Sequence, residues 1–174
     1  MGIADKEPVR RVRAALAAAG SASELIVLSD SAGTAAAAAA ALKVALGAIV
    51  KSLVFLVDDA PVLALVSGDR RCRAEAVAAV LGLAGAVRMA DARAVKSTTG
   101  FTIGGVAPVG ATTGGLPVVI DEALGRFPVV YAAAGHPHCV FATSLADLVG
   151  LTGGRVAANI AEPAASDEAD PRVI

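Results

Sequence analysis

The 174 residues of this chain are enough for one domain with a real hydrophobic core and too few for two ordinary domains. Hydrophobic residues make up 56% of the chain and the mean hydropathy is +0.69, yet no apolar run reaches the roughly 20 residues that a membrane-spanning helix needs. The net charge of −1 excludes a general attraction for nucleic acid, so any such contact must come from local patches.

Helical and strand patterns alternate along the chain, which favours an α/β or mixed α/β architecture over a bundle or a sandwich. The predicted helices end at a glycine or begin at a capping side chain, and they cover residues 8–19, 34–46, 69–81, 91–95 and 144–150. The predicted strands are short, mostly β-branched runs at residues 25–28, 49–57, 62–66, 118–120, 129–132 and 140–142. The segment DDAP joins 49–57 to 62–66 and predicts a hairpin with Pro61 at its turn.

A single domain is predicted over residues 1–162, because no repeat of roughly 20 to 50 residues and no linker interrupts the chain. Residues 163–174, PAASDEADPRVI, lose apolar content and gain acids. We therefore expect them to form a disordered acidic tail.

The amino-terminal stretch MGIADKEPVRR contains no apolar region that could serve as a secretory signal, so we expect a soluble protein of the cytoplasm. Cys72 and Cys139 lie far apart without a CxxC pair, which is typical of reduced thiols in a cytosolic protein.

Familiar catalytic signatures, such as GxSxG, GxxxxGK[ST], GxGxxG and HExxH, are missing from the sequence. His136, His138 and Cys139 are all possible metal ligands, but successive side chains of a strand face opposite ways, and distant Cys72 is the remaining thiol. We therefore predict no metal site.

Lys51 is the most unusual single residue, because it interrupts AIVKSLVFLV, a run that is otherwise apolar on both faces of a strand. One interpretation is structural: the amine reaches solvent at the strand end or pairs with Asp58 or Asp121. The other is functional: the amine points into a cleft and holds an anion. The strand pattern leaves both open.

The segment KSTTGFTIGGVAPVG, residues 96–110, is the second unusual feature. Gly104 and Gly105 would let main-chain N–H groups approach a ligand closely, and Pro108 fixes the chain just beyond them. Such a loop can direct amides at a carbonyl or an oxyanion. The structural alternative is a glycine pair that ends a strand at a bulge.

Four motifs, ALGAIVKSLVF, LVSGDRR, KSTTGFTIGGVAPVG and YAAAGHPHCVF followed by SLADLVGLTGG, occur in an order that resembles the YbaK/EbsC-like aminoacyl-tRNA deacylases. These are relatives of the editing domain inserted in bacterial prolyl-tRNA synthetases, and the similarity covers about residues 8–160. The resemblance implies a single α/β domain with a mixed, curved central sheet flanked by helices. It also implies hydrolysis in trans of the ester of a mischarged tRNA without a cofactor.

The family lysine in IVK[ST]L falls on Lys51, and the family GxxxP loop falls on residues 104–108. The resemblance makes Lys51, Gly104 and Gly105 the candidate catalytic residues. The candidate substrate-binding residues follow the lysine, complete the loop or lie in GHPH: Ser52, Val106, Ala107, Pro108, Gly135, His136 and His138. Many relatives carry serine where this chain has Ala107, so a hydroxyl there is not essential. The alternative for the two histidines is an exposed turn set by Pro137.

The implied mechanism has Lys51 hold the terminal phosphate while amides near Gly104 and Gly105 bind the ester carbonyl and its developing oxyanion. Water, a ribose hydroxyl or the substrate's own side chain would attack. Arginines of two predicted helices either contact tRNA phosphates or are simply solvated: Arg10, Arg11, Arg13, Arg70, Arg71 and Arg73.

The expected substrate is a tRNA(Pro) that carries Cys, Ala or a similarly small amino acid, and prolyl-tRNA synthetase or an elongation factor is a candidate partner. Two alternatives stay open: a non-catalytic module that binds tRNA, other RNA or a small ligand with the same fold, and a hydrolase for another activated acyl ester.

Overall fold

A computed structural model describes residues 2–29 and 32–165 of the chain. The helices are α1 (Glu7–Ala18), α2 (Ala35–Leu42), α3 (Ala74–Val80), α4 (Ala92–Thr99) and α5 (Leu145–Thr152). Short 3-10 helices lie at Ile3–Asp5, Leu46–Ala48 and Glu122–Arg126. The strands are β1 (Leu25–Val27), β2 (Val50–Val57), β3 (Ala60–Ser67), β4 (Arg70–Cys72), β5 (Val87–Met89), β6 (Val118–Asp121), β7 (Val130–His136), β8 (Cys139–Thr143), β9 (Arg155–Ala157) and β10 (Ala161–Pro163).

The described strands form a central five-stranded sheet in the order β5-β2-β3-β6-β9. The pairs β5/β2 and β2/β3 are antiparallel, whereas β3/β6 and β6/β9 are parallel. The smaller sheets are β1-β8-β7 and β10-β4, and a parallel bridge between Ile49 and Tyr131 brings the start of β2 to β7. This arrangement confirms the predicted mixed sheet flanked by helices.

The central sheet is buried on both faces, which explains why β2 reads as a continuous apolar run. Val50, Val54 and Leu56 belong to the main core, which includes α1 and the aromatic rings of Phe101 and Phe141. The alternate residues of β2 pack against α3 in a second core: Leu53, Phe55 and Val57. Side chains of β2 therefore divide between two layers according to their parity.

Several predicted elements are confirmed. α1 buries the predicted face of Val9, Val12 and Leu16. Asp91 caps α4 by accepting from the Ala94 amide, and Ser144 caps α5 by accepting from the Asp147 amide. α4 and α5 both extend beyond the predicted ends, to glycines in the left-handed conformation.

The predicted hairpin also forms, but Pro61 is not at its turn. Pro61 pairs with Leu56 inside the ladder, while Asp58 and Asp59 take the positive φ values of 45° and 68° that a tight turn requires. The predicted helix 34–46 is too long, because Lys43 adopts φ 57° and ends α2 after Leu42.

The prediction of a helix over 69–81 is wrong at its start, where β4 forms first and α3 begins at Ala74. β4 is extended because it pairs with β10, and the carboxylate of Asp69 accepts from Ser67 and Arg126.

The predicted boundary at residue 162 falls inside β10, and the Ala164 amide still donates to the Asp69 carbonyl at 3.0 Å. Residues 166–174 of the predicted tail lie outside the described residues. Within residues 2–29 and 32–165, no helix has both the length and the apolar character to span a bilayer.

Candidate functional site

Residues 101–110, the glycine-rich part of the segment 96–110, follow α4, which is capped by Gly100 with φ 75°. Phe101 is fully buried and anchors the segment in the main core. Gly104 has φ 86°, a backbone conformation that residues other than glycine rarely adopt. Residues 104–108 are all buried.

Gly105 lets this segment pack closely on β7. A Cβ atom at Gly105 would lie 2.9 Å from the nitrogen and 3.0 Å from the Cα of His136, closer than real Cβ contacts. Its amide donates to the Thr102 carbonyl at 2.9 Å, so this N–H is already engaged within the loop. The amide of Gly104 has no acceptor within the described part of the chain. Gly104 therefore carries the donor that a ligand could use.

A cavity of about 250 Å³ lies beside the segment. Its lining comes from β2, from the residues around the start of α4 and from the glycine-rich segment: Ser52, Leu53, Val54, Met89, Ala90, Asp91, Ala92, Val95, Ile103, Gly104 and Val106. Most of these residues are apolar, and Asp91 uses its carboxylate to cap α4. The cavity therefore suits a small, largely apolar group.

Ser52 supplies a polar group to this cavity. Its side chain is 4% exposed, and its hydroxyl finds no hydrogen-bond partner among the described residues. A buried hydroxyl without a partner costs free energy unless a ligand or a water completes it. Ser52 and Gly104 both line this cavity, and each has a polar group without a partner among the described residues.

Lys51 lies on the opposite face of β2 from Ser52, because adjacent residues of a strand alternate. Its side chain is 8% exposed, and Nζ donates to the carbonyl oxygen of Arg70 in β4. Asp58, one of the suggested partners, accepts from the Ala86 amide at the hairpin turn. The described structure does not bring Lys51 and Gly104 together in the cavity beside β2.

A charged network surrounds β4 and β6, on the face of the sheet that also carries Lys51. Asp121 is fully buried, pairs with Arg70 Nε at 3.2 Å, and accepts from the amides of Ser67 and Ala123. Sequence reasoning gave Asp121 only as a possible partner of Lys51. Its place at the end of a β-branched strand indicates burial, and a buried carboxylate needs hydrogen-bonding or ionic partners.

A second ion pair joins Asp69 to Arg126 at 2.6 Å, beside the Ser67 hydroxyl. The hydrogen bond from Arg126 lowers the pKa of Asp69, opposed by partial burial. The same hydrogen bond raises the pKa of Arg126. Local sequence patterns do not indicate this pair, because 57 positions separate its members.

The predicted histidines lie at the β7–β8 turn. His136 Nδ1 accepts from the His138 amide at 3.1 Å, and His136 Nε2 lies 3.0 Å from Lys6 Nζ. Burial lowers the pKa of His136, and the charges of Lys6 and His138 lower it further. Neither ring lines the cavity beside β2. Pro137 borders Gly104, since a Cβ atom added at Gly104 would lie 3.4 Å from the Pro137 Cγ.

The remaining predicted residues have structural surroundings. Gly135 has φ 88°, and a Cβ atom there would lie 2.6 Å from the Pro8 carbonyl oxygen. The close packing of α1 on β7 therefore requires glycine at this position. Ala107 and Pro108 line a different cavity of about 290 Å³ between α1 and α5. Val106 lines both cavities. Of the predicted set, Ser52, Gly104 and Val106 come together in the cavity beside β2.

The cysteines are unsuited to nucleophilic chemistry. Burial raises the pKa of Cys72 to about 12 and also raises that of Cys139. Within the described ranges, no group of three His, Cys, Asp or Glu side chains could hold a metal ion.

The sequence model of a known family, described as the aminoacyl-tRNA editing domain, matches residues 29–151. A proline–tRNA ligase from Lactobacillus gasseri is 37% identical over 92 residues, which are 53% of this chain and 16% of the ligase. The chain therefore spans only a small part of that curated relative.

Two solved structures match over most of their length. One, assigned as a trans-editing enzyme for prolyl tRNA synthetase, is 40% identical with a TM-score of 0.81, over 88% of this chain and 96% of that one. The other comes from work on grafting epitope backbones onto scaffold proteins and is 39% identical with a TM-score of 0.82, over 88% and 97%. These matches confirm the resemblance that the four sequence motifs indicated.

Proposed function

We propose that this chain, which belongs to the aminoacyl-tRNA editing domain family and is an aminoacyl-tRNA deacylase, removes Cys, Ala or a similarly small amino acid from tRNA(Pro). The observation that carries the choice of substrate is the cavity of about 250 Å³, with its apolar walls and two unused polar groups. The matched ligase and the trans-editing relative support proline as the cognate amino acid of the tRNA. They also make prolyl-tRNA synthetase the proposed partner.

The proposed reaction is hydrolysis of the ester between the amino acid and the terminal ribose. The side chain of the amino acid enters the cavity, where the Ser52 hydroxyl meets it, and the Gly104 amide donates to the ester carbonyl. Negative charge that develops on this oxygen strengthens that hydrogen bond in the transition state. A water molecule attacks the carbonyl carbon, the ester C–O bond breaks, and the ribose oxygen takes up a proton.

Such a site can work without a strong nucleophile, because an aminoacyl ester is already labile and needs positioning more than activation. Selection against a larger amino acid follows from cavity volume, where one methylene is worth about 1 to 3 kcal/mol. The apolar wall residues Val54, Val95 and Val106 set that volume.

For Lys51 we propose a contact with a phosphate of the acceptor end, made on the face of β2 opposite to the cavity. Its amine would exchange the Arg70 carbonyl for a phosphate oxygen. Lys51→Gln keeps a donor for Arg70 but removes the charge. We expect it to raise KM for aminoacyl-tRNA about tenfold and to leave cleavage of a free aminoacyl ester unchanged. An unchanged KM for aminoacyl-tRNA would remove Lys51 from the site.

The test of the function is a deacylation panel with tRNA(Pro) charged with Cys, Ala, Ser or Pro, run beside free aminoacyl esters. Release of Cys, Ala or both, with Pro-tRNA spared, is the expected result. If no charged tRNA is hydrolysed although tRNA still binds, the chain is a non-catalytic binding module. If free esters are cleaved as fast as aminoacyl-tRNA, it is a hydrolase for other acyl esters.

A further inference from the structure

We infer that Arg11 of α1 is a positioning residue that holds the glycine-rich segment 101–110 in the conformation that presents the Gly104 amide to the cavity. This inference rests on the proposed role of that amide. Arg11 does not touch the cavity, and its contacts lie at the two ends of the segment.

At the far end of the segment, Arg11 Nε donates to the Gly110 carbonyl at 2.9 Å. Gly110 has φ 81°, and a Cβ there would lie 3.2 Å from the Arg11 carbonyl carbon and oxygen. At the near end, the Arg11 guanidinium lies over the Phe101 ring, with Cζ 4.9 Å from the ring centroid. One side chain thus fixes both boundaries of the loop that contains Gly104.

Besides the burial of Phe101 and residues 104–108, few hydrogen bonds restrain the segment. The Phe101 amide donates to the Thr99 hydroxyl at 3.0 Å, the Gly105 amide donates to the Thr102 carbonyl, and just outside the segment the Thr112 amide donates to the Thr99 carbonyl. Arg11 itself is held by an ion pair with Glu7 one turn earlier on α1, and its side chain is only 22% exposed. The guanidinium is therefore turned toward the protein. In this respect Arg11 differs from a solvent-exposed arginine that is available to a tRNA phosphate.

The guanidinium makes both contacts at once, because Cζ lies over the Phe101 ring while Nε donates to the Gly110 carbonyl. A lysine ammonium keeps the charge but cannot reproduce this geometry. Lysine therefore separates the two explanations of Arg11: a phosphate contact tolerates Arg11→Lys, whereas a brace for the loop does not.

The experiment measures kcat and KM for aminoacyl-tRNA with Arg11→Lys and Arg11→Ala. The matched control is Arg155→Lys, since Arg155 in β9 also donates to a main-chain carbonyl, that of Val80 at 3.0 Å, away from the cavity. We expect both Arg11 variants to lose about 10- to 100-fold in kcat with KM changed less than twofold. Arg155→Lys should keep wild-type kcat. Wild-type kcat in Arg11→Lys, or a rise in KM alone, would overturn the inference.

Hydrogen exchange gives a second readout that needs no catalysis. In Arg11→Lys we expect amides of residues 101–107 to exchange about tenfold faster, while amides of the β2/β3 ladder keep wild-type protection. Unchanged exchange in 101–107 would refute the brace, and this arm keeps its meaning even if the wild-type protein hydrolyses none of the charged tRNAs. If Arg11→Ala fails to fold, Arg11→Lys alone decides both readouts.

Discussion

Replacing Ser52 with alanine should lower kcat/KM for aminoacyl-tRNA without lowering the free energy of unfolding. The Ser52 hydroxyl lines the cavity, is almost fully buried, and has no partner among the described residues. Most buried polar groups contribute to stability through their hydrogen bonds, and the Ser52 hydroxyl makes none with protein atoms among the described residues. Its deletion therefore separates a binding role from a structural one.

The magnitudes follow from this burial. A buried polar group without a partner costs about 1 to 3 kcal/mol, so Ser52→Ala should leave the free energy of unfolding unchanged or raise it within that range. A neutral hydrogen bond to the substrate contributes about 0.5 to 1.5 kcal/mol. Its loss corresponds to about a 2- to 13-fold decrease in kcat/KM.

The assay combines urea unfolding with deacylation kinetics, and Ser67→Ala is the matched control. Ser67 is also a buried serine, but its hydroxyl donates to the Gly47 carbonyl at 2.5 Å and accepts from Arg126 at 2.8 Å. Ser67→Ala should lower the free energy of unfolding by about 1 to 3 kcal/mol. If Ser52→Ala is destabilised to the same extent, or if its kcat/KM equals the wild-type value, the assignment of Ser52 to the substrate is wrong.

Three further outcomes test the packing and the charges. Because the pKa of Cys72 is about 12, against the ordinary 9.0, its thiolate fraction at pH 8 should be about a thousandfold lower than that of a free thiol, so iodoacetamide should alkylate it more slowly, and urea should restore the rate. Because the folded pKa of Asp69 lies below 3.8, its contribution to stability is present above that pH and is lost in more acidic solution, and Arg126→Ala should reduce this loss in urea titrations. Leu148→Ala, at a fully buried position, should lower the free energy of unfolding by about 2 to 5 kcal/mol.

Local pattern was sufficient for elements whose stability is decided nearby in the sequence. The buried face of α1, the β2/β3 hairpin and the caps at Asp91 and Ser144 all depend on residues within a few positions of one another. β4 and β10 were not predicted, because each has three residues and is extended only by pairing with the other across about 90 positions. No local propensity indicates such a pair.

The candidate site shows the same division. The glycine pair before Pro108 predicted a close approach of the main chain to a ligand, and in the structure Gly104 adopts φ 86° beside Pro137 of the β7–β8 turn. Lys51 and Ser52 are both predicted site residues with different roles, and as neighbours on β2 they face opposite layers of the structure. Of the two, Ser52 lines the cavity beside β2, and the role of Lys51 at a phosphate stays a prediction.

Most of the charged side chains near β2 lie on the other face of the strand from the cavity. The cavity beside β2 carries neutral polar groups, and its carboxylate, Asp91, is engaged in capping α4. The charged groups Lys51, Arg70 and Asp121 lie on the face of the sheet opposite to the cavity. There Lys51 donates to the Arg70 carbonyl, and the Arg70 side chain pairs with Asp121. Apart from Asp91, the residues that line the cavity are uncharged, so a small side chain can enter it without displacing an ion pair. In the proposed mechanism, the shape of the cavity and the Gly104 amide would then select the ester and stabilise its transition state.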